Sequence, residues 1–194
     1  MSTKSKTLIY FASLILIITF FVPIWYIDLE APQYPEGIGL EIWINKITGQ
    51  KPNDLENING LNHYIGMKPI VPESIEELKI MPFIIIFLIL FGLTAGFTGK
   101  RKLVYAWIIL FVIIAAIGMY DFYMWEYDYG HNLNPHAAIK IPGMAYQPPL
   151  IGSKILLNFN AISMPHLGSW ILVLAVVLSV TALYLDSKNK KKEE

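Results

Sequence analysis

The chain has 194 residues, 55% of them hydrophobic and only 15% charged, with a mean hydropathy of +0.48. That composition excludes an ordinary soluble domain and predicts an integral membrane protein. Formal net charge is zero and there is no cysteine, which removes disulfides, thiolate zinc sites, iron–sulfur clusters and cysteine nucleophiles from consideration.

Residues 1–6 are read as a short cytoplasmic N-terminus carrying Lys4 and Lys6, and residues 7–27 as a first transmembrane helix without charge. A signal peptide is the competing reading, but Ala31 has no small partner at position 29 to make a cleavage site. Further spans are expected at 80–97, 103–120 and 168–185, with cytoplasmic segments at 98–102 and 186–194. Lys4 and Lys6, Lys100 to Lys102, and Lys188 with Lys190 to Lys192 together hold nine of the 15 cations. By the positive-inside rule those stretches, and both termini, face the cytoplasm. Trp25, Tyr26, the run from Tyr120 to Tyr129, and Trp170 read as an interfacial aromatic belt.

Residues 28–79 and 121–167 are left as extracytoplasmic segments. The first carries nine acids against four lysines. Its alternating Ile38, Leu40, Ile42 and Ile44 predict a half-buried strand. Asn53 with Glu56 reads as a capping box for a short helix closed by Pro69 and Pro72, and Ser74 to Glu77 as another that leads into the second span. In the second segment the third span extends to about Tyr129, with Gly130 as its stop, and Ile155, Leu157, Phe159 and Ala161 predict a strand that packs with the first. The expected fold is therefore four transmembrane helices with a small α+β extracytoplasmic domain built from two long loops.

In the helix of NDLENINGLNHYIGM, Asn59, His63 and Met67 fall four apart on one face, with Leu55, Ile58, Leu61 and Ile65 opposite. A methionine off the apolar side makes that face a candidate for metal chemistry or partner contact. All four histidines, His63, His131, His136 and His166, and every methionine but the first fall outside the cytoplasm on this topology. Imidazole and thioether together suit copper, above all Cu(I). The candidate ligands are His63, Met67, His131, His136, Met144, Met164 and His166, and the candidate partner contacts Asn59, Asn62 and Tyr64. Each has an ordinary alternative: methionine fills gaps in cores, His131 and His136 flank a solvated turn, and His166 stands at a membrane interface. The signal is one-sided clustering, not a motif.

Other chemistry finds no footing. There is no glycine-rich phosphate loop, no serine with a histidine and acid in register, and no histidine or charged residue inside a span. No catalytic residues are assigned and no nucleic-acid surface is present.

The strings YPEGIGLEIWINKITG, DLENINGLNHYIGMKPI and IKIPGMAYQPPLIGSKILLNF resemble the small multi-span membrane proteins encoded beside nitrous-oxide reductase and its copper-assembly factors in bacterial nos gene clusters, the NosB-like proteins. The resemblance covers mainly the two outer segments, with Asn62, His63, Tyr64, Gly66 and Met67 matching most closely. It implies an accessory role in nitrous-oxide respiration, in copper delivery or reductase maturation, with the reductase or its copper-assembly factors as partners. A metal-free scaffold that docks a periplasmic reductase or electron donor, and a quinol-linked electron-transfer component, stay open as alternatives.

Overall fold

The computed structural model describes residues 1–193, the side chains of 190–193 excepted, so the side chains of Lys190 to Lys192 and the end of the basic C-terminal stretch lie outside the described residues. Among these residues four helices are long and apolar enough to cross a membrane, and a small five-stranded antiparallel sheet stands at one end of them.

The first helix, α1 (Thr3–Leu14), is capped by Ser2 and continues as a 3₁₀ turn over Ile15–Phe20. Together they rise about 30 Å, enough for a hydrocarbon core. The helix ends at Phe20, short of the expected Ile27. Pro23 has no amide for a helical hydrogen bond, and the branched and aromatic residues after it enter a strand, β1 (Trp25–Ala31). Trp25 is therefore no belt residue. It is 7% exposed, donates through Nε1 to Ser163 Oγ at 2.8 Å and sets its ring edge against Phe122.

Strand β1 is the centre of the sheet. It pairs on one side with β2 (Tyr34–Ile42), Ile27 opposite Leu40, and on the other with β5 (Phe159–Pro165), Ile27 opposite Ser163. The two strands expected from alternation thus share a sheet but are not paired with each other, because β1 lies between them. Two short strands complete it: β3 (Ile47–Gly49) folds back on β2, and β4 (Gly152–Leu156) pairs with β5. What reads as one strand over 155–161 is a hairpin turning at Leu157 and Asn158, with Leu157 in the left-handed region at φ 58°. The β2–β3 turn carries Ile44 away from the sheet into the helical core, where it is 1% exposed beside Leu16, Leu88 and Trp107.

Helix α2 (Asp54–Ile65) covers the β2–β3 side of the sheet. A 3₁₀ turn at Pro72–Ser74 leads to α3 (Glu76–Thr98), whose N-cap is Ile75. Ser74 forms no capping box there; its hydroxyl donates to Val71 O at 2.7 Å within the turn. Helix α4 (Arg101–His131) ends one residue past Gly130, and α5 (Leu167–Glu193) closes the chain. Trp107 is fully buried between helices and donates to Leu88 O at 2.7 Å. Gly92 is needed at this crossing, because a Cβ there would strike Ser13 Oγ and Trp107 Nε1. The buried hydroxyls of Ser13 and Ser179 return to the carbonyls one turn earlier, so the bundle hides no unmet hydroxyl at those positions.

Helix α4 is longer than any membrane requires. Its 31 residues extend about 46 Å against a core of about 30 Å. Only Leu103 to Tyr120 is free of charge. The remainder, 121–131, projects beyond that stretch, and Met119, Phe122, Trp125 and Tyr129 pack against the core of the sheet domain.

Candidate functional site

Helix α2 is fixed at its start by Asp54, not by the expected Asn53 box. Asn53 occupies the N-cap with φ 70° and makes no side-chain cap. Asp54 is 4% exposed, and its Oδ2 accepts from the amides of Gly39 at 3.0 Å and Lys51 at 3.1 Å, tying the helix to the sheet. Ile58, with Leu55 and Leu61 beside it, fills the core under the helix.

The other end is held by two asparagines. Asn59 closes a two-point contact with the backbone of Ile70, accepting at 2.7 Å and donating at 3.0 Å. Asn62 is buried and donates to Lys68 O at 3.3 Å. These side chains therefore face inward, on the segment 66–70 that returns from the helix. His63 and Tyr64 face out, with Tyr64 57% exposed.

Met67 does not share a helical face with His63. The helix stops at Ile65, and Gly66 turns the chain at φ 83°, a conformation that favours glycine. Half-buried Met67 lies past that turn, and its amide donates to Asn62 O at 2.9 Å. The spacing of four is helical only in the sequence.

A different connection brings three of the histidines to one corner. The loop after α4 lies directly on Gly66, where a Cβ would meet Ala137 Cβ at 2.9 Å and Asn134 N at 3.1 Å. Asn134 N donates to Gly66 O at 2.8 Å and Ile139 N to Tyr64 O at 2.9 Å. Lys68 pairs with Asp128 at 2.5 Å, and the Tyr129 hydroxyl donates to Pro69 O at 3.3 Å. His63, Met67, His131 and His136 are thus gathered where α2, the end of α4 and its following loop meet. His131 stacks on Tyr127 with centroids 4.0 Å apart, and all three imidazoles of this corner are exposed.

The remaining candidates lie elsewhere. Met164 is opposite Tyr26 in the β1–β5 register, and His166 sets its ring edge-on to Tyr26 at 5.9 Å, where β5 passes into α5. Met144 sits in the irregular stretch before β4, its amide donating to Ile141 O. Among the described residues no three histidine or carboxylate groups are placed to hold one metal ion. A groove of about 680 Å³ opens at the far tip of the sheet between Asp28, Glu30, Tyr34, Gln50, Phe159 and Asn160, away from the histidine corner.

Glu126 is the residue that sequence reasoning missed. It is 1% exposed, and neither carboxyl oxygen has a hydrogen-bond partner. It lies beyond the uncharged stretch of α4, in the part that packs on the sheet domain. One turn before it Phe122 meets Trp25, and one turn after it Gly130 O accepts from the amide of Tyr146, whose own buried hydroxyl has no partner. Burial alone pushes the Glu126 carboxyl up to about 8, so the acid is neutral over much of the physiological range. Its signal was present in the spacing Met119, Phe122, Glu126, Tyr129, an acid in the middle of one apolar helix face.

No known protein family, curated protein or solved structure matches the chain.

Proposed function

We propose that the chain is an integral protein of the bacterial cytoplasmic membrane that serves nitrous-oxide respiration as a non-enzymatic accessory protein. Its corner of α2, α4 and the loop after α4 docks nitrous-oxide reductase or a copper-assembly factor outside the membrane. Four apolar helices, basic stretches at their common end and an acidic sheet domain at the other support the membrane reading. The resemblance of the two outer segments to NosB-like proteins supports the pathway.

The observation that carries docking is the division of labour on α2. Asn59, Asn62 and Asp54 spend their polar groups on the protein's own backbone, which leaves His63 and Tyr64 exposed on a helix fixed at both ends. A fixed aromatic pair gives contact area at little entropic cost on binding. The test places a photo-cross-linker at Tyr64 and, as control, at Ile155 on the sheet tip, with purified apo reductase and each assembly factor. Capture from position 64 alone, equal with and without Cu(I), is expected; equal capture from both positions overturns it.

A second reading, Cu(I) held by the same corner, is favoured by the imidazole and thioether donors, His63, Met67, His131 and His136, on the segments that meet there. Copper retained by the purified wild type and lost in His63→Ala/Met67→Ala would establish it. Capture that needs copper would point the same way.

A further inference from the structure

At the end of the bundle away from the sheet, α1, α4 and α5 meet in a polar knot. Asp186 on α5 is 4% exposed and accepts from the Ser2 amide at 2.7 Å and from Arg101 Nε. One edge of the Arg101 guanidinium is thereby satisfied. Its Nη2 is buried and has no partner among the described residues, although guanidinium offers five donors.

Beside this group lies a cavity of about 430 Å³ lined by Lys100, Arg101, Lys102, Leu103, Asp186 and Met1, whose terminal ammonium donates to Gly99 O at 3.2 Å. Lys100 and Lys102 are exposed, and among the described residues neither has a carboxylate partner. Helix α4 begins here without a side-chain cap; the amides of Leu103 and Val104 turn back to Lys100 O, which leaves those of Arg101 and Lys102 as further donors. One buried acid, already engaged, therefore faces three consecutive cations among the described residues. The chemistry lacking is an oxyanion that accepts several hydrogen bonds, and phosphate meets that description. The neighbouring helix surfaces carry exposed apolar side chains, Phe97 two residues before Gly99 on α3 and Tyr105 and Ile109 one and two turns after Arg101 on α4. A soluble anion has no use for such neighbours, whereas acyl chains do.

We propose that this cavity holds the phosphate of an anionic phospholipid, with the exposed part of the Arg101 side chain, Lys100 and Lys102 around the headgroup and the acyl chains along α3 and α4. The proposal rests on the membrane reading above. Arg101 itself is a poor variant because it also holds Asp186, so the test uses Lys100→Gln/Lys102→Gln. The control, Lys4→Gln/Lys188→Gln, removes two cations of the same end that do not line the cavity.

Full-length protein in neutral detergent is titrated by native mass spectrometry with phosphatidylglycerol, phosphatidylcholine and inorganic phosphate. Preferential retention of phosphatidylglycerol is expected, weakened about fivefold for each cavity lysine removed, unchanged in the control and not displaced by millimolar phosphate. No preference over phosphatidylcholine, or equal weakening in both double variants, overturns the proposal. Displacement by inorganic phosphate with the same variant dependence makes this a soluble-phosphate site and overturns the lipid assignment. Alkaline carbonate washing separates the two failures: protein that leaves the membrane refutes the spans, while protein that stays but does not select the lipid refutes only the site.

Discussion

The helical bundle and the α2–α4 corner are held by opposite means. In the bundle, Ile9, Ala12, Leu16, Ala95, Val104 and Trp107 are fully buried in two apolar clusters, and glycine and serine let the helices approach. At the corner the fixing contacts are polar, from side chain to backbone, as with Asn59 to Ile70, Asn62 to Lys68 and Tyr129 to Pro69, and from backbone to backbone, as with Asn134 to Gly66. Packing of the first kind resists any change of volume. A polar staple fixes one segment and leaves the neighbouring surface free, which suits a face that must meet another molecule.

The contrast is broken most severely at Trp107. Trp107→Ala removes a fully buried ring and its bond to Leu88 O, and should cost about 3–5 kcal/mol in detergent unfolding. A cost no greater than that of a surface substitution would mean that the bundle is not the rigid part. Next is Glu126. Its carboxyl is raised from 4.5 to about 8, so the folded state binds the proton more tightly than the unfolded state. Its effect on stability should be flat below about 4.5, fall by at most about 1.4 kcal/mol per pH unit up to about 8, and level off above that. Thermal melts should lose this slope in Glu126→Gln, and a slope that survives would assign it to other groups.

Asn59→Ala should cost about 1–2 kcal/mol, seen as faster amide exchange over 66–70 with the bundle unchanged. Exchange that quickens in α3 or α5 would show the two regions to be one cooperative unit. The smallest change in stability, within about 0.5 kcal/mol, is expected for His63→Ala and Tyr64→Ala, whose side chains are exposed.

The same contrast decides what the sequence could reveal. Four helices were legible because apolar runs of span length have few other uses, and the strand around Ile38 to Ile42 because alternation survives in a half-buried sheet. Strand β1 was hidden because its apolar residues follow the first span with only Pro23 as punctuation, so a strand was absorbed into a helix. The His63–Met67 stripe failed for a local reason: Gly66 takes the left-handed conformation and ends the period at Ile65. The corner that assembles His63, His131 and His136 depends on contacts between residues some 70 positions apart, such as Asn134 to Gly66, and no periodicity encodes those.

The central claim is that the exposed pair on α2 is the working face. It is tested most directly by the affinity of purified apo nitrous-oxide reductase, and of each copper-assembly factor, for the reconstituted protein against His63→Ala/Tyr64→Ala, with folding checked by the unchanged melt. The account predicts that one of these partners binds the wild type and that its affinity falls at least about tenfold in the variant, as expected for loss of a central aromatic contact. No binding by any of them, or equal affinity for both forms, would contradict it.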